Sequence, residues 1–225
     1  MQVLGLIVAR AGSKGIPNKN VVLLARVPLL RWTIDAAKAA TRLNLLAISS
    51  DDQECLRYCA AGGGITLLKR PESLAQDDTP TVEVVRHALQ FFKGFDAVFT
   101  LQPTNPLRSV ADIDGPIEMM ERIDCDSVMG VTYLNDVHPW RMYTLDSHNR
   151  PTEFCRDAVP FVRRQDLPPV YLRTGVVYLT RPQLIEEGKI VGPNCRAWIV
   201  PQERAIAIDT VMDLNIAEAL CTRDL

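Results

Sequence analysis

Long apolar runs are missing from this chain of 225 residues: none approaches the roughly 18 that a membrane-spanning helix needs. Met1-Gln2-Val3 opens a strand-like run with no charged segment ahead of an apolar core, so no export leader is expected. An excess of positive charge is missing too, with 25 Lys and Arg against 27 Asp and Glu. That removes the footprint of a general nucleic-acid binder, and the mixing of both signs removes a disordered acidic tail. No two of the six cysteines stand at Cys-x-x-Cys spacing, and His87, His138 and His148 complete no zinc pattern. Cys55 and Cys59, four apart on an expected helix, share one face and are read as packing. Unpaired thiols fit a reducing, cytoplasmic compartment.

Apolar residues make up 47% of the chain, enough for one domain with a sizeable core and too little length for two full ones. Val3 to Ala9 is a continuous apolar run of strand formers, the pattern of a central parallel strand covered on both faces. Helical spacing over Leu29 to Arg42, a strand over Leu45 to Ser49, and a helix over Asp52 to Ala61 follow. Next come a strand at Ile65 to Leu68, a helix at Thr81 to Phe92, a strand at Ala97 to Leu101, a helix at Val110 to Arg122 and a strand at Ser127 to Val131. Such alternation predicts an α/β fold, a mostly parallel sheet with helices on both faces. Between about 133 and 175 the rhythm fails among five prolines, which marks an irregular arm on a single domain spanning 1–225. Strands at Val176 to Leu179 and Ala197 to Val200 and a helix at Val211 to Cys221 close the pattern.

One further absence is local. Residues 1–34 hold Arg10, Lys14, Lys19, Arg26 and Arg31 but no acid, so this segment is +5 in a chain of net charge −2. Three of those cations, with Gly12, Ser13 and Gly15, lie in the loop Arg10 to Asn20 that leaves the first strand. Ligands of open parallel sheets bind at the carboxyl ends of strands, and glycines let backbone N–H groups close on phosphate oxygens. The loop matches neither Gly-x-x-x-x-Gly-Lys-[Ser/Thr] nor Gly-x-Gly-x-x-Gly, so it is read as a polyphosphate site of another kind.

The run Val8-Ala-Arg-Ala-Gly-Ser-Lys-Gly-Ile-Pro-Asn-Lys-Asn20 resembles the N-terminal signature of the acylneuraminate (CMP-sialic acid) cytidylyltransferase family. In the same order follow Ile48-Ser-Ser-Asp51, Arg70-Pro71, Leu101-Gln-Pro-Thr-Asn-Pro-Leu-Arg108, His138-Pro139, Arg163-Arg-Gln-Asp-Leu-Pro168 and Ile208-Asp-Thr210. The resemblance implies a Rossmann-like nucleotidyltransferase fold with a small protruding dimerisation arm, and a homodimer. It implies coupling of CTP to a 2-keto-3-deoxy sugar acid, sialic acid or a related nonulosonate, with release of pyrophosphate and with Mg²⁺ or Mn²⁺. Position by position, Arg10, Gly12, Ser13, Lys14, Lys19, Asn20 and Arg70 are expected to hold the nucleotide, and Asp209 the metal. Gln102, Thr174 and Tyr178 are expected at the sugar, with Arg141 and Arg164 reaching it from the partner subunit. Arg10, Lys19, Gln102 and Asp209 would carry the chemistry; no nucleic acid or membrane partner is implied.

Two departures stand out. The family run Ile-Asp-Ile-Asp-Thr is here Ile206-Ala-Ile-Asp-Thr210, so one of two acids is absent, and Thr174-Gly175 replaces Asn-Gly. With Phe161 where a sialate enzyme can carry an acid, these changes point to a modified nonulosonate such as a legionaminate-like or pseudaminate-like sugar. The lack of an aspartate in Pro103-Thr-Asn105 argues against the Kdo branch. Two alternatives stay open: a guanylyl- or other nucleotidyltransferase acting on a sugar 1-phosphate, and a nucleotide-binding module without turnover. Other residues are given plainer roles: Trp32 and Trp198 as core, Asp51 as a ribose contact or helix cap, Asp77-Asp78-Thr79 as a capping sequence, and Asp213 as a solvated helix acid.

Overall fold

A computed structural model of the chain describes residues 1–135, 137–155 and 163–221. The chain opens with β1 (Val3–Ala9), passes a short hairpin of β2 (Leu23–Leu24) and β3 (Val27–Pro28), and enters α1 (Leu29–Ala39). It then alternates β4 (Leu45–Ser50), α2 (Gln53–Gly62), β5 (Thr66–Lys69), α3 (Thr81–Phe91), β6 (Ala97–Leu101), α4 (Ala111–Arg122) and β7 (Ser127–Tyr133). A second hairpin, β8 (Tyr143–Leu145) with β9 (Pro151–Glu153), precedes β10 (Tyr171–Thr180), α5 (Pro182–Glu186), β11 (Cys195–Ile199) and α6 (Val211–Cys221). Seven strands form one sheet in the order β11-β7-β10-β6-β1-β4-β5, with β10 antiparallel to both neighbours and the other pairs parallel. The expected mostly parallel α/β architecture is what the chain adopts.

Side chains of β1 alternate between two cores, as the period of a strand requires. Val3, Ile7 and Ala9 join Leu30, Ile34, Cys55, Cys59, Ile113 and Ile117, so α1, α2 and α4 cover one face. Leu4 and Leu6 join Val82, Val85, Ala88 and Ile185, which puts α3 and α5 on the other. Cys55 and Cys59 are packing, as their spacing suggested, and burial pushes both thiols up, Cys59 to about 11. A third cluster, Ile16, Leu24, Leu29, Ile208 and Ala217, seats the loop after β1 against the segment leading into α6. No helix among the described residues is long and apolar enough to cross a membrane.

The returning strand expected at Val176 to Leu179 is longer than its sequence pattern. β10 starts at Tyr171, opposite Tyr133 of a longer β7, so the arm leaves the sheet on a two-stranded ladder. Its first residues are exposed on both faces and carry no buried periodicity, which is why the sequence read as irregular there. β1 meets β4 on one side and β6 on the other, so the chain leaves β1 in one direction and returns past it in the other. At such a reversal the connections at the carboxyl ends diverge and leave a crevice.

Candidate active site

That crevice is a cleft of about 590 Å³. The loop after β1 forms one wall, through Arg10, Ser13, Lys14, Gly15, Lys19 and Asn20. Gly12 takes φ +70° and Asn18 φ +51°, left-handed conformations that fold the loop back on itself. The Ala11 amide donates to Asp51 Oδ1 at 3.0 Å, and Asn20 Nδ2 donates to the Arg10 carbonyl at 2.8 Å. Asp51 is therefore a brace for the loop, and the cap of α2 is its neighbour Asp52, which accepts from the amides of Glu54 and Cys55. Gly15 lies so close to the far wall that a Cβ there would stand 2.1 Å from the Asp209 carbonyl oxygen. Lys19 completes the closure, donating to the Ile208 carbonyl at 3.1 Å and to Asp209 Oδ1 at 2.8 Å.

Two charged groups of the Arg70–Thr81 stretch face this loop. Arg70 is buried, with its guanidinium on the Ser49 carbonyl at 2.7 Å and the Ser49 hydroxyl at 3.2 Å. Burial lowers it to about 10, Asp51 pulling the other way, so it remains a cation at neutral pH. Asp77 does not cap α3, whose N-cap is Pro80. It pairs instead with Arg10 Nη2 at 2.7 Å and with Lys14 Nζ, and these contacts, Lys14 first, hold its carboxyl below the usual range.

The opposite wall is built by a bulge. Thr174 pairs with Gly130 and Tyr178 with Met129, so β10 carries extra residues between them that displace Gly175 and Tyr178 into the cleft. The displaced carbonyls lose their ladder partners. Buried Arg108 replaces them, donating to the Val176 carbonyl at 2.7 Å and the Gly175 carbonyl at 3.3 Å, while burial lowers the guanidinium to about 10. A Cβ on Gly175 would meet Asn105 Oδ1 at 2.3 Å and Gln102 Oε1 at 2.4 Å, so a larger residue there would push both side chains aside. Asn105 Nδ2 donates to the Ile206 carbonyl at 3.1 Å, and the Ile208 amide to the Thr104 carbonyl at 2.7 Å, which docks the irregular 206–209 segment on the turn after β6.

Asp209 ends that segment, exposed and on the cleft wall next to Ala207. Thr210 and Asp213 form a reciprocal cap on α6: the Thr210 amide donates to Asp213 Oδ2 at 2.8 Å and the Asp213 amide to Thr210 Oγ1 at 3.3 Å. Asp213 is thus a capping acid, and the Thr210 hydroxyl, then the Thr210 and Asp209 amides, hold it below the ordinary carboxylate range. Among the described residues no three His, Cys, Asp or Glu stand together as a metal cage. Mg²⁺ usually takes only one or two carboxylates with phosphate oxygens, so the exposed Asp209, whose Oδ1 also meets Lys19, fits an ion that arrives with a triphosphate.

Of the expected site residues, Arg10, Ser13, Lys14, Lys19, Asn20, Arg70, Gln102, Tyr178 and Asp209 converge on the cleft. Gly12 shapes the loop from outside the wall. Thr174 does not reach the cleft: it is buried, its hydroxyl accepting from the Val176 amide at 3.4 Å, and it faces Gly130 across the ladder. Its exchange for asparagine therefore does not by itself read the acceptor. Arg141 lies on the arm, beside a separate small recess with His138 and Pro168. Arg163 pairs with Asp166, the side chain of neighbouring Arg164 lies outside what is described, and so does Phe161. Trp32 and Trp198 are half-buried and each donates its indole N–H, to the Leu24 carbonyl and to Asp112. Asp77 and Arg108 were not read as site residues, and only the motif ending at Arg108 carried any signal of either.

A family model described as Cytidylyltransferase matches residues 4–193. The chain belongs to the cytidylyltransferase family. N-acylneuraminate cytidylyltransferase A of Danio rerio is 28% identical over 218 residues, covering 96% of this chain and 50% of that protein. The chain spans about half the length of that relative and of the Escherichia coli N-acylneuraminate cytidylyltransferase. CMP-N,N'-diacetyllegionaminic acid synthase of Legionella pneumophila is 29% identical, and the match covers 98% of this chain and 96% of the relative. The structure of a CMP:2-keto-3-deoxy-manno-octonic acid synthetase complexed with CTP superposes with TM-score 0.75 at 15% identity over the whole of both chains, a likeness of fold.

Proposed function

We propose that this cytidylyltransferase couples CTP to a nonulosonate-type sugar acid, giving a CMP-sugar and pyrophosphate. The observation that carries the reading is the convergence of Arg10, Lys14, Lys19 and Arg70 with an open Asp209 on one cleft at the carboxyl ends of β1 and β6. Names of relatives that this chain covers nearly end to end, such as the legionaminic and pseudaminic acid enzymes, support the acceptor class. Nucleotidyl transfer asks the protein for placement and charge neutralisation, with little covalent help. Ser13 and the loop amides hold the phosphates, and Arg10, Lys14 and Lys19 take up the charge that builds as the anomeric hydroxyl gives its proton to water and bonds to the α-phosphorus while the bond to pyrophosphate breaks. Gln102 and Tyr178, on the bulged side, orient the sugar. Asp209 is the residue to hold Mg²⁺ or Mn²⁺, which when bound would shield the triphosphate.

The test is pyrophosphate release with Mg²⁺, crossing CTP and GTP against nonulosonic acids and sugar 1-phosphates. Turnover with CTP and a nonulosonic acid is expected; turnover confined to GTP and a sugar 1-phosphate would overturn the reading. Arg10→Ala is expected to weaken CTP binding by about tenfold or more as well as the rate, because it removes a direct charge-assisted phosphate contact. An unchanged nucleotide affinity would take Arg10 out of the phosphate site.

The same proposal makes the protein a cytoplasmic homodimer joined through the arm. Tyr143, Leu145, Phe154, Tyr171 and Leu172 are exposed there, an apolar set suited to the same face of a second copy. Arg141 is on this arm and away from its own cleft, where only a partner subunit would bring it to a sugar carboxylate. Sedimentation is expected to give twice the chain mass, and Leu145→Glu with Phe154→Glu to give monomers. A monomeric parent would overturn the assembly.

A further inference from the structure

Asp77 is a charged group of the cleft that the proposed reaction leaves unused. It has no part in capping α3, and spends each carboxylate oxygen on a different cation of the loop: Oδ1 on Arg10 and Oδ2 on Lys14. Among the described residues neither cation has another ion pair. Lys14 is largely exposed and Arg10 a third exposed, so water would solvate both without Asp77. Two oxygens of one anion bridging an arginine and a lysine reproduce the contacts that a phosphate group makes with the same pair. The neighbours of Asp77 in sequence, Leu74, Gln76, Thr79 and Thr81, also line the cleft, so the acid and the cations meet within the site.

We propose that Asp77 is a positioning residue of the nucleotide site, an exchangeable counter-anion that holds Arg10 and Lys14 in place until a polyphosphate displaces it. The inference rests on reading the loop after β1 as a phosphate site. Held by Asp77, the two like charges stay side by side in the empty cleft, where alone they would repel. The incoming polyphosphate takes over both contacts, and Asp77 is left to water. The cost is competition: part of the binding energy of the polyphosphate goes to breaking the two ion pairs.

Inorganic pyrophosphate is the probe, titrated calorimetrically into the parent, Asp77→Asn, Asp78→Asn, Arg10→Ala and the Arg10→Ala/Asp77→Asn double variant, without added metal. Asp77→Asn is expected to bind pyrophosphate about three- to tenfold tighter than the parent, the range that two exposed ion pairs allow. Asp78→Asn removes the same charge one residue along, and is expected to change affinity less than twofold. In the Arg10→Ala background the gain from Asp77→Asn is expected to shrink, since the competition acts through that arginine. If Asp77→Asn binds no tighter while Arg10→Ala still weakens binding, the exchange is wrong and the phosphate site stands. If Asp78→Asn gains as much as Asp77→Asn, the effect is general electrostatics and the exchange is equally wrong. If Arg10→Ala leaves pyrophosphate binding untouched, the phosphate reading itself fails.

Discussion

Asp209→Asn is expected to release pyrophosphate about 10²–10³-fold more slowly than the parent at fixed Mg²⁺, the scale on which removing an electrostatic contact to a developing charge acts. Its thermal midpoint should stay close to that of the parent. Asp209 is exposed, its side chain meets Lys19, and Lys19 keeps a second contact on the Ile208 carbonyl, so little of the fold hangs on the carboxylate. The segment that carries it is held independently, through Asn105 on the Ile206 carbonyl and the Ile208 amide on Thr104. Because Ala207 stands where the family has another acid, no neighbouring carboxylate in this segment can take over. Raising Mg²⁺ should recover part of the loss if the defect is in holding the ion. A variant with near-normal turnover would remove the metal role from Asp209. One that is slow and also melts early would show a structural duty that the contacts do not suggest.

Which parts of this molecule were legible in the sequence follows from which interactions are local. β1 was readable to the residue because a strand covered on both faces is apolar throughout, and the cationic loop after it because charge and glycine are visible without a fold. Arg10, Lys14 and Lys19 looked unbalanced only along the chain. In space Asp77 and Asp209 supply the acids, from 67 and 190 residues away for their partners Arg10 and Lys19, and no spacing rule reports such pairs. The β10 bulge was hidden for a related reason. Its extra residues are satisfied by Arg108 from the turn after β6, so nothing in the β10 sequence itself announces a break in the ladder. Thr174 stays out of the cleft for the same reason: a sheet residue next to a bulge turns toward its neighbouring strand, and Gly175 lines the site in its stead, beside the expected Tyr178.

Asp112→Ala is expected to cost about 3–5 kcal/mol of folding stability, the range for removing one partner of a buried ion pair. Asp112 is fully buried in the first turn of α4 and accepts five hydrogen bonds: from Arg204 Nε and Nη2 at 3.0 and 3.1 Å, Trp198 Nε1 at 3.1 Å, and the Ser109 amide and hydroxyl at 3.0 and 2.7 Å. Alanine would leave the indole N–H without its acceptor and the guanidinium, a third exposed, with water as its only replacement. The indole is also packed where a Cβ on Gly115 would be 2.1 Å from its ring, so it has little room to turn toward water. For a chain of this size the loss corresponds to a fall in Tm of about 6–20 °C, and Asp112→Asn, which keeps one acceptor oxygen, should lose less. Burial pushes the Asp112 carboxyl up, but Arg204, Ser109 and Trp198 together hold it below the ordinary range. A depressed carboxylate contributes stability that is complete above its unfolded value of about 4 and fades as pH falls through its folded value. Urea unfolding of the parent and Asp112→Ala from neutral pH into acid should therefore show a gap that is full at pH 7 and narrows below about pH 4. The consequence reaches the cleft, because Arg204 immediately precedes the segment that ends at Asp209, and loosening it should raise the Mg²⁺ requirement of the folded variant. A gap under about 1 kcal/mol that does not change with pH would mean that water replaces the carboxylate as partner of Arg204, and that this network anchors nothing.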